Sequence, residues 1–159
     1  PPGKGSRHVR RVLAELARTP NGRGTDLAGA LEFFGRVQRR SCIVIIISDF
    51  LAPDFTLPLA SVARHHDLVA ILVTDPLDGQ LPRAGLAEAI DPESGLRRIV
   101  DLDAASTHAV HEVQVQRRRA DRQRSFKVAG VDSLEVGVND SPVRALTKFF
   151  ARRASRRYR

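Results

Sequence analysis

Two oxygen-bearing side chains, the Thr25 hydroxyl and the Asp49 carboxylate, are the first chemical signal in this sequence. Both are hard ligands of the kind Mg²⁺ takes. Asp49 closes the run Cys42-Ile43-Val44-Ile45-Ile46-Ile47-Ser48. That run is almost wholly apolar and mostly β-branched, which predicts a strand buried on both faces in the middle of a parallel sheet. A carboxylate just past such a strand stands at the C-terminal edge of the sheet, where open α/β folds bind ligands. Thr25 lies in Gly24-Thr25-Asp26, on a loop that opens a helix, and is placed to cap it. The competing reading is structural: a helix cap and a strand-ending Asp are common in any α/β protein. Two oxygens also fall short of an octahedral shell, so further ligands must come from elsewhere.

Other chemistry-bearing residues are weaker signals. Gly3-Lys4-Gly5-Ser6 and Gly22-Arg23-Gly24-Thr25 look like phosphate loops only superficially. No strand precedes the first, and Leu27 stands where the second needs a glycine. His108 and His111 are one helical turn apart but have no matching third ligand, so a solvated helix face is expected. His65-His66 falls at a helix end, where cationic side chains favour the helix dipole. Asp75, Asp78, Asp91 and Glu93 lack the spacing of a Ca²⁺ loop and read as turn formers. Cys42, the single cysteine, reads as an inert core thiol within its strand.

These residues need a frame, and the hydrophobic pattern supplies one. Val9, Val12, Leu13 and Leu16 recur at helical spacing over 8–17, and the segment 19–24 breaks that helix. A second helix is expected over about 26–39, a turn at Pro53-Asp54, and a helix over 56–65. Parallel strands are expected at about 43–48, 68–73 and 131–136, the last weakened by Gly137. Residues 87–100 read as a β-hairpin with its turn at Asp91–Gly95. A long basic helix follows over 105–125, and the last helix over 141–155 has Ser141 as its cap and Pro142 in its first turn. Alternating helices and strands imply right-handed βαβ crossovers, hence an α/β fold with a parallel sheet.

At 159 residues and 42% hydrophobic content the chain fits one domain with a real core. It holds no Met, and it is read as the C-terminal part of a longer protein. The net charge of +8 is set by residues 117–159, which carry 13 of the 26 basic residues and only 4 of the 18 acidic ones. Such an end suggests an acidic partner, a phosphate backbone or an anionic lipid surface. Arg152, Arg153, Arg156 and Arg157 form its densest cluster. Aromatics make up 5% of the chain and only Tyr158 sits in the basic tail, which argues against a stacking platform for nucleic acid.

Several motifs together resemble a known family. They are Pro2-x-x-Gly5, Gly24-Thr25-Asp26-Leu27, Ile47-Ser48-Asp49-Phe50, His66-Asp67, Asp75-Pro76, Leu81-Pro82-x-x-Gly85, Asp91-Pro92-Glu93-x-Gly95, and a close with Leu146, Phe149 and Phe150. In this order they resemble the C-terminal portion of bacterial von Willebrand factor A-like proteins of the domain-of-unknown-function family fifty-eight, associated with MoxR-type AAA+ ATPases. Leu77-Asp78 departs from the charge pattern usual in that family after Asp-Pro. The resemblance implies a partial von Willebrand factor A (Rossmann-like) domain over 1–159, with the N-terminal strands missing. It also implies a metal-ion-dependent adhesion site built from Asp-x-Ser-x-Ser, a later Thr and a later Asp. Thr25 and Asp49 match the last two; the first segment would precede Pro1, so the site here is incomplete. Mg²⁺ or Mn²⁺ is therefore expected in the intact protein and not in this stretch alone. The sheet would lack its central strand, leaving 43–48 as an exposed apolar edge that invites self-association.

The leading expectation is a non-enzymatic interaction module that acts with a MoxR-like ATPase in assembling or activating protein complexes. It would be cytoplasmic, or held at the inner face of the membrane through the missing N-terminal part. Two other classes stand beside it. One is a metal-dependent phosphoryl-processing enzyme using Asp49, against which no Asp-x-Asp, phosphate loop or general base stands out. The other is a nucleic-acid or anionic-surface binder using residues 117–159.

Overall fold

The computed structural model describes residues 4–18, 24–90 and 95–157. Five helices and five strands are found among them: α1 (Ser6–Leu16), α2 (Leu27–Val37), β1 (Ile43–Ser48), α3 (Thr56–Ala63), β2 (Asp67–Thr74), β3 (Leu86–Ile90), β4 (Arg97–Asp101), α4 (Ala105–Ala129), β5 (Asp132–Gly137) and α5 (Pro142–Arg157). A short 3₁₀ turn over Pro76–Gly79 follows β2. The fold is α/β. Its main sheet is parallel, in the order β1-β2-β5, and β3 and β4 form a separate antiparallel pair. The anticipated hairpin is present; its tip, 91–94, lies outside the described residues, as do 19–23 of the break before α2.

The sheet buries its two faces against different helices. Leu68, Ala70 and Leu72 of β2 pack with Leu31 of α2, Leu59 and Val62 of α3 and Phe126 of α4. Phe126 meets Phe50 edge-on, with ring centroids 4.9 Å apart, which ties the helix layer to the loop after β1. On the opposite face Val69, Ile71 and Val136 pack with Phe149 of α5. The 3.6-residue and two-residue periods of the sequence thus map onto these two layers.

Strand β2 matches the expectation of burial on both faces; β1 does not. In register with β2, Val44 and Ile46 turn toward the larger core. Ile43, Ile45 and Ile47 lie on the α5 face and remain 62%, 49% and 67% exposed. An apolar run specifies a strand suited to burial, but among the described residues the apolar packing of α5 is against β2 and β5, so one face of the edge strand stays open. The edge placement of β1 is what the family resemblance implied. Helix α1 likewise buries none of its residues, and Val9, Val12, Leu13 and Leu16 stay exposed.

Two local expectations are corrected. The cap of α2 is Asp26, not Thr25: the Asp26 Oδ1 accepts the Gly29 N–H at 2.8 Å. Cys42 precedes β1 rather than lying within it, is half-buried, and places its Sγ 3.5 Å from Nδ1 of His66. Helix α4 runs four residues beyond its expected end and stops at Gly130, whose φ of 66° is the left-handed conformation glycine adopts without penalty. Ser141 does cap α5, its Oγ accepting the Arg144 N–H at 3.5 Å.

Candidate functional site

Asp49 stands where the strand pattern put it, one residue beyond β1 at the C-terminal edge of the sheet. The loop that presents it is tightly held. The Ser48 Oγ accepts the Phe50 N–H at 3.0 Å, and the Asp49 Oδ1 accepts the Leu51 N–H at 3.1 Å. Phe50 occupies the left-handed region at φ 52° and is 2% exposed. A bulky residue persists there only when its surroundings over-determine it, and here Phe55 and Phe126 clamp its ring. Burial of Phe50 therefore fixes the direction in which its neighbour Asp49 projects.

Thr25 is exposed and adopts no regular structure just ahead of α2. With Asp26 acting as the cap, the Thr25 hydroxyl is left free of that task. The Oδ2 of Asp49 makes no hydrogen bond among the described residues, since both contacts of the carboxylate use Oδ1. Thr25 precedes α2 and Asp49 follows β1, and the lining of the cleft that holds Asp49 does not include Thr25. Among the described residues no three His, Cys, Asp or Glu side chains form a metal-binding group.

Asp49 also lines a cleft of about 340 Å³ together with Thr74, Asp75 and Asp78 beyond β2, Glu135 of β5, and Arg118, Arg119 and Arg122 of α4. On sequence alone these arginines count within the basic segment 117–159 and are not singled out. The signal was present: Val115, Arg118, Arg119, Arg122 and Phe126 share one helical face, and three of those five positions carry charge where a core-facing stripe expects apolar residues.

The C-terminal basic cluster divides. The Arg153 Nε donates to Oδ2 of Asp132 at 2.7 Å, and its Nη2 donates to Asp67. Burial opposes the charge, but the hydrogen bonds and attraction of Asp132 and Asp67 outweigh it and raise the pKa above the ordinary guanidinium value. Arg153 thereby joins the N-terminal ends of β2 and β5 and is not displayed to an external anion. Arg152 is exposed, its guanidinium 5.9 Å from the centroid of Phe149. The side chains of Arg156 and Arg157 lie outside the described residues.

The histidines are less solvated than their spacing suggested. His66 is 7% exposed and packs edge-on against Phe34 at 5.1 Å. His108 and His111 are half-buried against the hairpin side of α4; the His108 Nε2 lies 2.7 Å from the Leu102 carbonyl oxygen. No helix among the described residues is long and apolar enough to cross a membrane.

The model of the family described as "Protein of unknown function DUF58" matches residues 1–121. The chain belongs to the DUF58 family. An uncharacterized protein of Mycobacterium avium is 36% identical to it over 127 residues, covering 73% of this chain and 75% of that protein. An uncharacterized protein of Mycobacterium tuberculosis is 33% identical over 144 residues, covering 90% of this chain but 45% of the relative. This DUF58 chain thus spans about half the length of the tuberculosis protein. A Paracoccus denitrificans protein, described as an uncharacterized protein in the moxR 3' region, is 34% identical over 97 residues, covering 59% of this chain and 90% of that protein. No solved structure matches the chain.

Proposed function

We propose that this DUF58 chain is a non-enzymatic protein-interaction module that works with a MoxR-type AAA+ ATPase. The observation that carries this reading is the Paracoccus relative, which is encoded in the moxR 3' region. Neighbouring genes often serve one process, and an ATPase that remodels protein complexes needs an adaptor to reach them. The orientation of Asp49 by a buried Phe50 supports a binding role, because a docking residue gains affinity from being pre-organised.

In the intact protein Thr25 and Asp49 would hold Mg²⁺ or Mn²⁺, which supplies a strong, geometry-specific anchor for a carboxylate of the partner. Thr25 contributes its hydroxyl and Asp49 its uncommitted carboxylate oxygen. The open edge of β1, with Ile43, Ile45 and Ile47 on its bare face, is proposed as a second contact, through which copies of the chain associate.

The test is calorimetric titration of the moxR-encoded ATPase from the same genome into the full-length protein. A saturable heat supports the reading. Absence of binding, with both proteins folded and with Mg²⁺ and nucleotide present, refutes it.

A further inference from the structure

The 340 Å³ cleft at the C-terminal edge of the sheet holds more than Asp49. Its floor is the end of β2 and the 3₁₀ turn, and its wall is the middle of α4. Four carboxylates line it, and three of these are already engaged. The Asp49 Oδ1 accepts the Leu51 N–H at 3.1 Å and the Asp75 Oδ1 accepts the Leu77 N–H at 2.9 Å. Glu135 faces Arg119 at 3.7 Å.

Arg118 and Arg122 are in a different position. Neither makes an ion pair among the described residues, although both sit on the body-facing side of α4. Arg117 and Arg124, one residue before and two residues after them, instead face Asp121. The Nε of Arg122 is also shut off from solvent with no acceptor. A guanidinium that has lost water on one side without gaining a partner is held at a cost, and an anion delivered to its open side recovers more free energy than it would at an exposed arginine. Arg122 lies where the cleft meets a small hollow of about 60 Å³ lined by Leu72, Phe126 and Ser133, so this desolvation is built into the core contact of α4.

We propose that this cleft binds a carboxylate side chain of an acidic peptide segment, with Arg118 and Arg122 as its cationic ligands. A guanidinium fork takes both oxygens of a carboxylate. A doubly charged phosphate matches less well, because Asp49, Asp75, Asp78 and Glu135 share the cleft and repel it. The proposal deepens the reading of the chain as a protein-binding module. It takes the partner to be a protein, but it needs neither a metal nor Thr25.

The test is fluorescence anisotropy of a labelled Gly-Ser peptide carrying a single glutamate, titrated with the full chain in EDTA and again in Mg²⁺. Binding should persist in EDTA. Arg118→Ala and Arg122→Gln should each weaken it by about tenfold, the scale of one lost charge-assisted hydrogen bond. Arg117→Ala and Arg124→Ala should change it by less than about twofold, since those side chains are exposed and serve Asp121. Arg118 is exposed, so its variant is informative even if Arg122→Gln lowers stability. Equal weakening by all four variants would reduce the effect to net charge and overturn the proposal. So would no weakening by the cleft pair, or displacement of the peptide by inorganic phosphate at lower concentration than by acetate. Peptide binding that survives while the ATPase fails to bind removes the MoxR reading and keeps the cleft. ATPase binding that needs Mg²⁺ and ignores both arginines does the reverse.

Discussion

Replacing Arg153 by alanine should destabilise the fold without touching an external anion site. Its side chain is 17% exposed, and its partners Asp67 and Asp132 are 21% and 43% exposed. Breaking a fully buried pair costs about 3–5 kcal/mol, and an exposed pair at most about 1 kcal/mol. Arg153–Asp67 lies nearer the first limit and Arg153–Asp132 nearer the second, so Arg153→Ala should cost about 2 kcal/mol. For a domain of this size that lowers Tm by about 4–8 °C. The control is Arg152→Ala on the same helix, which loses only an exposed contact with the Phe149 ring, worth about 0.5 kcal/mol. Thermal and urea unfolding followed by far-ultraviolet circular dichroism compare the two. If Arg153→Ala falls within about 0.5 kcal/mol of Arg152→Ala, the clamp across β2 and β5 contributes nothing and Arg153 returns to the pool of surface charge.

Asp26→Ala should cost about 1 kcal/mol by removing the cap of α2, while Thr25→Ala should stay within about 0.5 kcal/mol; equal losses in urea unfolding would show that the hydroxyl shares the capping. Ile45→Lys places a charge on the bare face of the edge strand and should shift the chain toward monomer in sedimentation velocity; an unchanged distribution would exclude β1 as the self-association surface.

The chain displays its strands more clearly than their neighbours. Leu68–Val73 and Ile43–Ile47 are both wholly apolar runs, yet only the first is covered on both sides. Apolarity records what a strand tolerates, and neighbour number is decided by topology, which only the family resemblance addressed. The cap of α2 was ambiguous because Thr25 and Asp26 are both capping types, and the choice falls to backbone geometry at residue 26. Arg153 was hidden for a different reason. In a run of arginines a solvated surface is the economical reading, and its acceptors Asp132 and Asp67 lie 21 and 86 residues away. Asp49 was legible because a strand end is a local feature. The arginines of α4 were legible in principle, through charge on a core-facing period, but that face becomes visible only once Phe126 is known to be buried.

The most direct test of the interaction reading is the metal dependence of ATPase binding. Calorimetry would titrate the moxR-encoded ATPase into the full-length protein in Mg²⁺, in EDTA, and with Thr25→Ala or Asp49→Ala. Binding in Mg²⁺ that is lost in EDTA and in both variants is the predicted result. Binding of equal strength in all four conditions would contradict it, leaving Thr25 as a loop residue and Asp49 as the end of a strand.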